Sequence, residues 1–174
     1  VKIRSLTYLN RHEEAIATTD AMIEAGSSPG EARYWRAYNE MQLERYDEAW
    51  DDIERAGRLM INADVPKLAG IIAINRGDLT TARERLELAR TRRATGCDTG
   101  FYLQAVLSAQ REWDPAARVA GEAASCFDAE VEGLTREIED VRASDAPLAR
   151  KARQIASRQS QLDGDRRMRA TTWF

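Results

Sequence analysis

Four alanines, Ala15, Ala49, Ala82 and Ala116, recur 34, 33 and 34 residues apart along the chain. A period in that range is the mark of stacked two-helix repeats, because a single closed core has no reason to repeat its packing at a fixed interval. The flanking residues repeat in kind as well as in distance. Three residues before each anchor stands a bulky side chain, His12, Tyr46, Leu79 or Trp113, and seven after it stands Met22, Ala56, Ala89 or Ala123. Twelve before it come Ile3, Ala37, Gly70 and Gln104, small in the two middle repeats. A small residue there lets two helix backbones approach closely, while the bulky one plugs the gap between neighbouring hairpins.

Turn chemistry divides each unit into two helices of roughly 12 to 14 residues. The signals are Asn10-Arg11, the Arg76-Gly77-Asp78 run and the Glu112-Trp113-Asp114 run, with longer breaks between units. In the first break Gly26 suits a helix C-cap and Ser27 or Ser28 the next N-cap. No stretch alternates apolar and polar residues long enough to argue a strand. The chain of 174 residues is 43% hydrophobic and 32% charged, enough apolar content to bury a continuous seam. No apolar run approaches the roughly 18 residues that a membrane span requires. The Ala and Arg bias points to a bacterial source, and Val1 opening inside a helix pattern points to a piece of a longer protein.

These registers resemble the tetratricopeptide repeat family over about residues 1–127. The third unit carries the likeness best, with Gly70, Gly77, Ala82, Leu86 and Ala89 where the family favours such residues. The second, from Tyr34 to Ala49, is nearly as good. The first begins inside its first helix, the fourth has Gln104 in place of a small residue, and no unit has the proline that often closes the motif. The resemblance implies an all-α, right-handed superhelical solenoid of antiparallel helix pairs with C-terminal capping helices. The expected repeats are approximately 1–27, 30–62, 64–95 and 98–127, followed by an extension or cap over 128–174.

By the same resemblance, the first helices of successive units line a concave groove that holds a peptide. The side chains placed there are Tyr34, Tyr38, Met41 and Gln42 in unit two, Lys67, Ile71, Ile74 and Asn75 in unit three, and Phe101, Ala105 and Ser108 in unit four. Packing between neighbouring helices is the competing role for each of them. Family members that grip a chaperone's C-terminal carboxylate use a cationic cluster on three first helices. The corresponding surface here offers Arg4, Thr7, Trp35, Tyr38, Asp64, Lys67 and Leu68, which is not such a cluster.

Past Phe127 the period changes. Val131, Leu134, Ile138, Val141, Leu148, Ala152, Ile155 and Leu162 describe one apolar stripe on helical surface, interrupted from Ser144 to Pro147. Proline is tolerated in a first turn but not mid-helix, so two helices meeting at a bend are expected. They serve as a cap over the last repeat or as a dimerising hairpin over 128–163, leaving the protein monomeric or homodimeric. Residues 145–174 hold seven basic side chains (Arg150, Lys151, Arg153, Arg158, Arg166, Arg167, Arg169) against Asp145, Asp163 and Asp165, a net of +4 within an overall −3. A solvated helix face is the expected reading of this basic tail, because no interleaved aromatics mark a stacking platform for nucleic acid.

Catalytic chemistry is thin. The one histidine, His12, occupies the bulky packing register, and no phosphate-cradling loop, metal-spaced His/Cys cluster or nucleophile elbow appears. Acid pairs such as Glu13-Glu14 and Asp51-Asp52 lie on amphipathic helices where carboxylates face water. No catalytic, metal-binding or cofactor residue is therefore assigned. Cys97 and Cys126 fall at the same end of the fourth helical hairpin, where a disulfide is sterically conceivable, yet unpaired thiols are expected on grounds of redox compartment. The function expected is a non-enzymatic protein-interaction module binding a protein or peptide partner. The alternative is a regulatory or oligomerisation domain of a larger protein whose catalytic or DNA-binding part lies outside this segment.

Overall fold

The computed structural model describes residues 2–94, 96–144 and 147–171, the side chains of 148–149 and 168–171 excepted. Within them the chain is all-helical: α1 Lys2–Tyr8, α2 His12–Glu24, α3 Pro29–Gln42, α4 Tyr46–Leu59, α5 Asp64–Asn75, α6 Leu79–Thr91, α7 Asp98–Ala109, α8 Trp113–Ala143 and α9 Leu148–Thr171. It divides into two compact units, residues 1–99 and 100–174.

The sequence period reappears in the backbone. Each of the four intra-hairpin turns holds one residue in the left-handed region, namely Asn10, Glu44, Gly77 and Arg111 at φ of 55°, 61°, 77° and 64°. All four stand five residues before an anchor alanine. That conformation lets the next amide fold back onto the preceding helix, and the bonds Arg11 N–H to Leu6 O, Arg45 to Glu40, Asp78 to Ala73 and Glu112 to Leu107 are all 2.9 Å. Such closures satisfy carbonyls that a helix end otherwise leaves unpaired. Only Gly77 takes the conformation without steric cost. Asp78 then caps α6, its carboxylate accepting from the Thr81 amide at 3.0 Å.

In the first unit α1 pairs with α2, α3 with α4 and α5 with α6, while α2 packs on α3 and α4 on α5. The central core joins Ala37, Ala49, Ile53 and Ala56 of the second hairpin to Val65, Leu68, Ala69 and Ile72 of the third. Ala15, Ala49 and Ala82 are fully buried. A Cβ added at Gly70 would stand 2.6 Å from Leu86 Cγ and 3.3 Å from the Ala82 carbonyl oxygen, which is the close approach that its register implies. The first hairpin has its own cluster of Ile3, Leu6 and Ala15, with Met22 and Trp35 against it.

In the second unit Gly100 brings α7 against α8, where an added Cβ would meet that of Ala123 at 2.9 Å. α8 runs from Trp113 through to Ala143 without interruption, so the fourth hairpin's second helix and the first part of the extension are one element. α9 packs along it, burying Leu134, Ile138 and Leu162 with Val131 and Ile155 beside them. The bend foreseen at Ser144–Pro147 falls where α8 ends; Asp145 and the Leu148 and Arg169 side chains lie outside the described residues.

Four expectations are corrected, the first being that Asp52 faces water, since it is 3% exposed. Trp113 is 64% exposed, so the bulky register does not act as a plug in the fourth repeat. Ala152 is exposed, turned away from the Leu134–Ile138–Leu162 seam. Neither cysteine is free, both Cys97 and Cys126 being disulfide-bonded. The expectation of free thiols had weighed redox compartment above geometry.

Candidate functional site

α3 places Tyr34 and Tyr38 one turn apart, with Trp35 between them in sequence, and the three rings form a continuous edge-to-face chain. Tyr34 and Trp35 centroids are 5.5 Å apart at 86°, and those of Trp35 and Tyr38 6.1 Å apart at 62°. The rings are half-buried, Tyr34 and Tyr38 on the central core together with Met41 and Trp35 on the first-hairpin cluster. Each ring is thus packed in part against neighbouring helices and in part exposed. Arg4 of α1 stacks its guanidinium 5.5 Å from the Trp35 centroid. Arg4, Trp35, Tyr8 and Glu31 are among the residues lining a cleft of about 490 Å³.

The Tyr34 phenol is pushed up to about 12, chiefly by burial and then by the carboxylates of Asp64 and Asp98. It therefore stays a neutral hydroxyl across physiological pH. Tyr38 is raised too, again first by burial and then by neighbouring Tyr8. Lys67 sits between the two acids, its Nζ 3.8 Å from Asp64 Oδ1 and 3.3 Å from Asp98 Oδ1. This cation is already neutralised by its neighbours and is not a free anchor for a carboxylate.

The remaining assigned residues are placed less closely together. Ile71 is half-buried on α5, and Asn75 is exposed one turn on, its side-chain amide donating to the Ile71 carbonyl at 2.9 Å. Gln42 is exposed at the end of α3. Phe101 belongs to the second unit, half-buried on α7 and edge-on to Tyr102 at 5.5 Å. The residues not singled out as groove side chains are Tyr8, which is 80% exposed, and the cation–aromatic pair of Arg4 and Trp35. Their signal in the sequence is the density of aromatics around Tyr34, of which the helical stripe of Tyr34, Tyr38 and Met41 takes in only part.

His12 takes the structural role expected of it. Its Nδ1 lies 2.9 Å from Asn39 Oδ1, and Asn39 is fully buried, donating from Nδ2 to the Trp35 carbonyl at 2.7 Å. Thr7 of α1 lies 3.1 Å from the same amide, so three helices share one buried polar node. Because the amide of Asn39 bonds the backbone of Trp35, this node also fixes the turn of α3 that carries the aromatic chain.

No known family pattern and no curated protein matches the sequence. Solved structures do match in fold. YrrB, described as a TPR protein with an unusual peptide-binding site, superimposes with a TM-score of 0.63 at 20% identity, over 97% of this chain and 87% of that one. MamA gives 0.65 at 12% identity, over 96% and 95%. The C-terminal part of a TPR repeat-containing protein from Cytophaga hutchinsonii gives 0.62 at 16% identity, over 98% and 69%. The fold is therefore that of tetratricopeptide repeat proteins, an all-α helical solenoid, as the four alanine registers imply.

Proposed function

We propose that this chain is a non-enzymatic interaction module whose first unit receives a protein or peptide partner on the face formed by its first helices. The observation that carries the reading is the half-open chain of Tyr34, Trp35 and Tyr38 on α3. Aromatic side chains offer large contact area for few rotatable bonds, and they dominate the binding energy of interfaces. Met41, Gln42, Lys67, Ile71 and Asn75 complete the proposed surface, and Phe101 is the corresponding candidate on α7. The likeness in fold to a TPR protein with a peptide-binding site supports the same reading. Among the described residues no helix is long and apolar enough to cross a membrane.

Affinity capture with wild-type and Tyr38→Ala protein tests the proposal. Truncation is expected to weaken a true partner by about 1 kcal/mol or more while helicity is unchanged. Equal recovery of every specific interactor by both proteins would remove α3 from the working surface.

A further inference from the structure

Three residues beyond the first-helix register of Ile3, Ala37, Gly70 and Gln104 stand Leu6, Glu40, Ala73 and Leu107. This is a core position, and its occupants are 7%, 8%, 0% and 2% exposed in the same order. The second hairpin thus buries a carboxyl where the other three bury apolar side chains. Each of these residues also accepts the hydrogen bond that closes its helix, so Glu40 stands at the hinge between α3 and α4.

The groups around it are already committed to one another. Asp52 of α4 is 3% exposed, although its sequence placed it among the solvated carboxylates. It accepts from Arg33 Nη1 at 2.7 Å, from Arg36 Nη2 at 2.8 Å and from Arg36 Nε. The remaining Arg36 nitrogen donates to Asp20 of α2. Glu40 is left with a single long approach, Oε1 to Arg36 Nε at 3.8 Å, and its Oε2 has no hydrogen-bond partner. Glu48 of α4 adds a further negative charge nearby. α1 and α5 also touch α3, but Arg4 is stacked on Trp35 and Lys67 is held by Asp64 and Asp98. Among the described residues the cation beside Glu40 is thus Arg36, which is shared with Asp52 and Asp20, while Arg45 of the following turn is paired with Glu13.

We propose that Glu40 makes the second hairpin a proton-sensitive joint: α3 seats between α2 and α4 with a proton on this carboxyl, and losing the proton loosens the stack. The local field agrees with the geometry. Burial, reinforced by the Asp52 charge and opposed by Arg36, pushes Glu40 from the ordinary 4.5 up to about 7. A group raised on folding binds its proton more tightly in the folded chain. Its contribution is fully present below the unfolded value and is lost as pH rises through the folded one. The window is therefore the interval from the ordinary glutamate range to neutrality. Tyr38 and Met41, two of the proposed partner contacts, are carried by the same helix α3, so loosening of its seat would reach the surface through the helix as a whole.

Urea unfolding of wild-type, Glu40→Gln and Glu40→Leu proteins across this window tests the proposal. The wild-type folding constant is expected to lose up to about tenfold per pH unit relative to either variant, levelling off above neutrality. Parallel pH profiles for wild type and both variants would overturn it. A carbon-detected titration of the Glu40 carboxyl in the wild type supplies a readout that needs no variant. A midpoint near neutrality supports the joint, and one in the ordinary carboxylate range refutes it. Neither measurement involves a partner, so its outcome is separate from that of the binding experiment.

Discussion

Gly70 and Asp52 show the two ways in which one residue sets the stack of the first unit. At Gly70 the α5 backbone lies so close to α6 that an added Cβ falls inside the contact distance of Leu86. Gly70→Leu is expected to cost about 1 to 3 kcal/mol, as overpacking does, and an unchanged urea midpoint would show that α5 and α6 can part freely. At Asp52 the effect is electrostatic. Its carboxylate holds Arg33 and Arg36 together at 3% exposure, so Asp52→Ala leaves two guanidinium groups without their shared partner. Removing one member of a buried pair costs about 3 to 5 kcal/mol, and calorimetry of this variant should register a loss on that scale. The first of these effects was legible in the sequence and the second was not. A repeating small residue has one packing explanation, whereas Asp51 and Asp52 stand side by side on an amphipathic helix and only the fold tells which of them turns inward.

At the scale of helices, the turns were legible in position and less so in cost. Left-handed residues recur with the alanine period, but Asn10, Glu44 and Arg111 pay for a conformation that Gly77 adopts freely. Glu44 is the clearest test, because it lies exposed between α3 and α4. Glu44→Gly is expected to raise stability by about 1 kcal/mol, the relief of the left-handed strain exceeding the added chain entropy. A fall in the unfolding midpoint would contradict this account. In the second unit the segment after Phe127 is helical as its spacing implies, with Leu134, Ile138 and Leu162 in one seam and Ala152 outside it. Its first part is continuous with the fourth hairpin's second helix, which the spacing does not reveal. The packing pattern changes at that point while the backbone does not, and a change of partners is easily taken for a break. Ile138, buried at 4% on α8 against the α9 seam, reports on that pairing. Ile138→Ala should cost about 2 to 5 kcal/mol and accelerate amide exchange throughout α9.

For the molecule as a whole, repetition made the fold readable from a single chain, since each register is seen four times and a chance match in one unit is corrected by the others. The candidate site was readable only in part for the same reason. A binding face is what differs between repeats: Phe101 and Tyr102 repeat the register of Tyr34 and Trp35, but Tyr8, Arg4 and Tyr38 have no aromatic or cationic counterpart in the third and fourth units to announce them. Charge is the remaining property of the whole chain that bears on partners. The 26 basic residues are outnumbered by 29 acidic ones, and residues 145–174 carry a net of +4. On α9, Arg158 is paired with Glu137 of α8, and Lys151 donates to the Arg142 carbonyl at 3.0 Å. Nucleic acid binding depends on several cations neutralising phosphates together, so partly committed charges on an otherwise acidic chain make a weak footprint. Fluorescence anisotropy with duplex DNA and with single-stranded RNA at near-physiological salt is expected to show no saturable binding. Saturable binding whose constant falls steeply with salt would transfer the interacting role from the aromatic face of α3 to the basic face of α9.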